Sequence, residues 1–157
     1  MAVNDGWKLP VAFYFDVEFQ GGPVKERIPF QAVTGLEMEL DVEIWQEGGA
    51  NDRAYHLPKG AKGGRLTLRR ALLPLNQGPG AQLSRWAREV VNGDRSQLIQ
   101  TSDVLVHLLD ENGKPLHLWR CSNAYPVKWM VEKLDSQKNE LALAELVLAC
   151  SSITQEM

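Results

Sequence analysis

From Leu36 to Trp45 the chain alternates without a break. Leu36, Met38, Leu40, Val42 and Ile44 fall on one side, and Glu37, Glu39, Asp41, Glu43 and Trp45 on the other. A period of two is that of a β-strand, so the stretch reads as one long strand with an apolar and an acidic face. The same period places Phe13, Phe15, Val17 and Phe19 on one face of a strand over residues 11–19. Gly21-Gly22-Pro23 breaks that strand. A short strand over 28–33 leads through Thr34-Gly35 into the acidic strand, which Gly48 and Gly49 end. Residues 49–64 lose the period and read as a long loop, a feature that in compact domains is usually functional. That loop carries Tyr55 and Leu57, which suit a docking arm better than a solvated turn. Leu66 and Leu68 then mark a returning strand over 65–71.

The period changes only once. Leu83, Trp86, Ala87 and Val90 fall at helical spacing, after Gly78-Pro79 and before Asn92-Gly93, which predicts a helix over about 80–92. Asp103–Asp110 is again a strand, and Asn112-Gly113 is a two-residue hairpin signal. Pairing across that turn sets Glu111 opposite Lys114, Leu109 opposite Leu116, and Val106 opposite Trp119. Strands over 123–134 and 139–151 follow, separated by the polar turn Asp135-Ser136-Gln137-Lys138. About seven to eight strands and one helix predict a mainly β fold, a β-barrel or sandwich with a helix packed on one side. No internal repeat or linker divides residues 1–157, so one domain is expected.

The composition adds few constraints. A chain of 157 residues, 44% hydrophobic and 24% charged, is long enough for one ordinary core. The net charge of −3 argues against attraction of the whole protein to nucleic acid or acidic membranes. No run approaches the roughly 18 apolar residues of a membrane span, so no membrane insertion is expected, and cytoplasmic folding is the default. Cys121 and Cys150 are too few for a disulfide framework and read as buried free thiols.

Catalytic patterns do not emerge. In a two-residue hairpin His107 pairs with Leu118 and His117 with Leu108, so the two rings face opposite sides, and neither they nor His56 has ligand spacing to a cysteine. No G-x-S-x-G elbow is present. The acids of the 37–43 row stand about 7 Å apart, within glycosidase reach, but four in a row form a solvated face rather than a cleft. Lys59-Gly60-Ala61-Lys62-Gly63-Gly64-Arg65 lacks the phosphate-loop spacing and precedes a strand rather than a helix. No catalytic residue, metal site or cofactor is therefore assigned.

The charges are sorted rather than mixed. Residues 35–48 hold five acids and no base, whereas 53–70 hold six bases and no acid. Complementary, non-identical surfaces favour head-to-tail contacts that close into rings or extend into filaments. Arg53, Tyr55, Leu57, Lys59, Lys62 and Arg65 are the candidate inter-subunit residues. Reversal of Lys62 and Arg65 is expected to weaken assembly and spare the fold. A monomeric polyanion-binding β-barrel using the basic stretch is the reading from another class.

Five stretches, in order, resemble the tube subunits of contractile tails. They are Phe15-Asp-Val-Glu-Phe19; Ala32-Val-Thr-Gly-Leu-Glu-Met-Glu39 with Ile44-Trp-Gln-Glu-Gly-Gly49; Leu57-Pro58, Lys62 and Leu66-Thr-Leu-Arg-Arg70; Leu108-Leu-Asp-Glu-Asn-Gly113 with Trp119; and Asn123-Ala-Tyr-Pro-Val-Lys128 with Asn139-Glu140. That family covers contractile phage tail tubes and inner tubes of extracellular injection systems, with the haemolysin-coregulated protein of type VI secretion more distant in fold. The resemblance implies a β-barrel with one helix, hexameric rings stacked into a hollow tube, and sheath, baseplate and other tube paralogues as partners. It implies assembly in the cytoplasm, a place in a phage tail or extracellular injection particle, and DNA or protein cargo in the lumen. It also implies that the 49–64 loop reaches a neighbouring subunit or ring. Glu37, Glu39, Asp41 and Glu43 become a candidate lining of the lumen. Lys59-Gly60 after Pro58, Ala71 after Arg70, and an alanine-rich last strand ending in Cys150-Ser151 depart from the family pattern. They are compatible with a tube-initiating or baseplate-end paralogue.

Overall fold

In a computed structural model of the chain, residues 14–46, 54–72, 80–93, 98–132, 134–137 and 142–156 are described. Phe13, Arg53 and the Gly48-Gly49 and Gly78-Pro79 breaks lie outside them. The strands are β1 (Tyr14–Gln20), β2 (Arg27–Pro29), β3 (Ala32–Thr34), β4 (Leu40–Gln46), β5 (Ala54–Ala61), β6 (Gly64–Ala71), β7 (Ser102–Leu109), β8 (Pro115–Val131), β9 (Leu143–Cys150) and β10 (Ser152–Gln155), with helix α1 (Ala81–Asn92) between β6 and β7.

Eight strands form one antiparallel sheet in the order β2-β1-β7-β8-β9-β6-β3, with β10 on the first half of β8. The two ends of that path, β2 and β3, are separated in the chain by only Phe30 and Gln31. That short link holds the two edges near each other, so the sheet curls strongly, in keeping with the mainly β, barrel-like fold expected, although no ladder joins β2 to β3 among the described residues. The single strand read over 28–33 is two strands on opposite edges, because Pro29 offers no amide donor to continue a ladder.

Cross-strand rows of apolar side chains fill the interior. Ile28, Val17, Val106 and Trp119 form one row across β2, β1, β7 and β8; Phe19, Val104, Cys121 and Ile153 form a second. In the other half Val33, Leu68, Leu146 and Trp129 line up, beside Leu66, Leu148 and Pro126. Each fully buried leucine or isoleucine in these rows contributes about 1.5–3 kcal/mol. Cys121 and Cys150 are buried free thiols. The Cys150 sulfur beside it and burial both push the Cys121 thiol above its usual range, so it stays neutral.

β8 serves both halves, pairing with β7 up to Ala124 and with β9 from Tyr125. The switch falls at Asn123, whose φ of 51° is tolerated better by asparagine than by most residues. Asp103 Oδ1 accepts its backbone N–H at 3.1 Å, and its side chain donates to Ser151 Oγ at 3.3 Å. At the other end of β8 the register matches Val106–Trp119 and His107–Leu118, but Leu109 meets Pro115 rather than Leu116. The turn is wider than two residues because Asp110 Oδ1 accepts the N–H groups of Asn112 and Lys114, both at 2.8 Å.

Helix α1 buries Leu83, Trp86 and Ala87, as its spacing predicts. Trp86 meets Phe19 edge-on at 6.4 Å and donates its indole N–H to Gln100 O at 3.1 Å. Glu26, on the β1–β2 connection, accepts the Gly80 N–H at 2.9 Å and puts a carboxylate at the positive end of the helix.

Candidate assembly surface

β4 and β5 form a separate two-stranded sheet. The segment expected as a loop over 49–64 is, in its described part, the second strand of a hairpin arm. Pro58 and Gly60 hide it in the sequence. A ribbon tolerates both, since Pro58 can turn its missing donor to an unpaired edge and the register shifts by one residue, Lys59, between Val42–Pro58 and Asp41–Gly60. The long strand over 36–45 is correspondingly shorter: residues 35–39 carry no ladder, and pairing begins at Leu40.

Alternation correctly separated two faces of β4, but neither is buried. One face carries Leu40, Val42 and Ile44 with Pro58 and His56 across the ladder; the other carries Asp41, Glu43 and Trp45 with Gly60, Leu57 and Tyr55. Met38, Leu40, Val42, Ile44, Trp45, Tyr55 and Leu57 are each 45–61% exposed. So much contiguous apolar surface on a monomer marks an interaction site. The β5 edge is blunted by Pro58 and the bulge, whereas β4 offers an edge without such a device.

The candidate residues separate in space. Tyr55, Leu57 and Lys59 lie on β5, Lys62 just beyond it, and Arg65 exposed on β6, while Arg53 is outside the described residues. Asp41 and Glu43 share the Trp45 face; Glu37 and Glu39 precede the strand. Lys62 lies 3.6 Å from Glu39 of its own chain and donates its backbone N–H to Glu39 O at 2.8 Å. The two charge-sorted segments therefore meet first within one copy, at the base of the arm. With both side chains more than half exposed, that pair is worth only about 0–1 kcal/mol.

The sequence reading missed a groove beside α1. It is an open hollow of about 680 Å³ between the helix, Leu98–Gln100 and Tyr125–Val127. Leu98, 96% exposed, stands at its margin. Non-contiguous segments form it, so no local period announces it. Elsewhere the ionic contacts are structural: Arg27 with Asp16, Arg69 with Glu132, and Arg120 with both Asp103 and Glu156. Among the described residues no group of three or more His, Cys, Asp or Glu side chains could hold a metal.

A curled antiparallel sheet thus carries one helix and an apolar ribbon that its own chain leaves uncovered. The chain belongs to the T4-like virus tail tube protein family, whose model (tail tube protein gp19) matches residues 11–154. A chain in the 6-fold symmetrised baseplate of the anti-feeding prophage is 28% identical, with a TM-score of 0.74 over 94% of this chain and 95% of that one. One in the sheath–tube complex of an extracellular contractile injection system in its extended state is 24% identical, with a TM-score of 0.73 over 97% and 93%. Hcp1 of Flavobacterium johnsoniae shares the fold at a greater distance, with 16% identity and a TM-score of 0.52 over 92% and 95%. No curated protein matches the chain significantly.

Proposed function

We propose that this chain is a non-enzymatic subunit of the inner tube of a contractile phage tail or injection particle. Six copies close into a ring, and rings stack into a conduit for DNA or protein. The observation that carries this reading is the β4–β5 arm, whose apolar Leu40, Val42, Ile44 face and whose Trp45, Tyr55 and Leu57 beside the acids are all uncovered in a single copy, on a chain of the tail tube family. Non-identical donor and acceptor surfaces lead to rings or stacks. Affinity comes from the apolar arm and the open β4 edge, as in other strand-addition contacts. Tyr55, Leu57 and Lys59 on the arm, with Lys62 and Arg65 at and beyond its base and Arg53, which precedes β5 in the sequence, form the inter-subunit or inter-ring contact. The acidic residues Glu37, Asp41 and Glu43, with Glu39 partly neutralised by Lys62, line the lumen, where like charge keeps anionic cargo from sticking. Sheath, baseplate and further tube paralogues are its partners, and assembly takes place in the cytoplasm before the particle acts outside.

Negative-stain electron microscopy over a concentration series tests this directly. Rings or stacked tubes with an open channel are the expected result. A protein that stays monomeric throughout and binds polyanions with steep salt dependence would replace the tube reading with that of a polyanion-binding barrel.

A further inference from the structure

The arm needs an acceptor, and the same chain carries one. We infer that the groove beside α1 receives the Leu40, Val42, Ile44 face of the arm of a second copy. The inference rests on the tube-subunit reading and adds the acceptor to it.

Polarity selects the face. The opposite face of the arm bears Asp41 and Glu43, and burying those carboxylates against an apolar wall would leave charges without partners. The Leu40, Val42, Ile44 face has no acid or amine, with Ala61, Pro58 and His56 across the ladder. The groove offers Trp86, Val90, Ile99, Tyr125 and Pro126 as apolar wall, with Glu89 and Gln100 between them.

Length agrees as well. Leu40 to Ile44 spans about 14 Å at strand rise. The helix from Trp86 to Asn92, which forms one wall, runs about 9 Å. Two or three side chains of the row fit alongside it, and about 680 Å³ is room for them. Leu98 and the half-exposed Ile99 would close over the arm from the far side.

Charge at the margin favours the same pairing. Glu89, an exposed carboxylate on the groove, has no partner among the described residues. Lys59, displaced at the bulge on β5, also has none. Docking the apolar face brings this basic edge of the arm to the rim. The occupant is another copy because the arm of one copy pairs only within itself and its apolar face remains exposed.

The test uses the full chain with exchanged charges and an engineered cross-link. Lys59→Glu and Glu89→Lys should each raise the concentration needed for assembly severalfold, and the double variant should restore it, since like charges meeting at a contact repel and the exchange removes the repulsion. Ile44→Cys protein mixed with Leu98→Cys protein and oxidised after assembly should give a disulfide-linked dimer, with neither variant doing so alone. Circular dichroism checks that each variant folds. Normal assembly without the mixed dimer and without rescue would overturn the groove assignment and leave the tube reading intact. A wild-type protein that never assembles would overturn both.

Discussion

Gly35 is held where few other residues could stand. Its φ is 95°, and a Cβ there would lie 2.1 Å from the Arg65 carbonyl oxygen, at the point where the chain leaves β3 for the arm. Gly113, in the β7–β8 turn, has a φ of 80°, but a Cβ there would meet nothing within 4 Å. Gly35→Ala combines a backbone penalty with a clash against main chain and is expected to cost about 3 kcal/mol or more; Gly113→Ala carries the backbone penalty alone, about 1 kcal/mol. Urea denaturation of both variants separates the two effects, and equal losses would refute the close approach. A second residue-scale prediction concerns Glu18, whose carboxyl is held below its usual 4.5 by the hydrogen bond from Gln20 and, after the opposing effect of burial, by His107. A depressed folded value means stability that is present above pH 4.5 and lost as pH falls through the folded value. Gln20→Ala should therefore lower stability near about pH 7 and flatten its decline below about pH 4.5, as read from urea midpoints across pH. An unchanged slope would show that Gln20 does not hold this carboxylate. The sequence offers Gly35 only as a turn signal, since its contact with Arg65 joins residues thirty apart.

At the scale of elements, the helix and the arm make opposite predictions. Trp86 is buried, meets Phe19 edge-on and binds Gln100 O, so Trp86→Ala should cost about 3–5 kcal/mol. Among its described residues the arm contributes none to the core cluster, and β4 and β5 pair only with each other. Replacing residues 40–61 with a short glycine–serine turn should shift the melting temperature by no more than a few degrees while abolishing assembly by sedimentation. A large loss of stability would mean that the arm belongs to the fold of the single copy. The contrast also explains which elements were legible. Leu83, Trp86 and Ala87 announce α1 because a helix is local and its buried face repeats every 3.6 residues. Alternation identified β4 as a strand, but a period of two reports only that two faces differ, not that either is covered by its own chain. β5 was hidden by Pro58 and Gly60, and β2 and β3 merged because their separation depends on partners at opposite edges of the sheet.

At the scale of the molecule, charge and apolar surface have separate tasks. Sorting of acids and bases along the chain suggested that electrostatic attraction joins copies, but Glu39 and Lys62 already meet within one copy, and Asp41, Glu43 and Lys59 on the arm are exposed. Exposed pairs contribute about 0–1 kcal/mol each, so they set orientation and encounter rate more than final affinity. The apolar surface of the arm works differently, because its burial does not weaken when ions screen charge. Raising sodium chloride from about 0.1 M to about 1 M shortens the screening length from about 10 Å to about 3 Å. Assembly followed by light scattering should then become slower, while the plateau mass from sedimentation should stay nearly constant. A plateau that collapses with salt would mean that charge holds the copies together, and the Lys62 and Arg65 reversals would become the decisive variants. A plateau that persists assigns the cohesion to Leu40, Val42, Ile44 and their neighbours on the arm, the residues whose alternation is the clearest pattern in the chain.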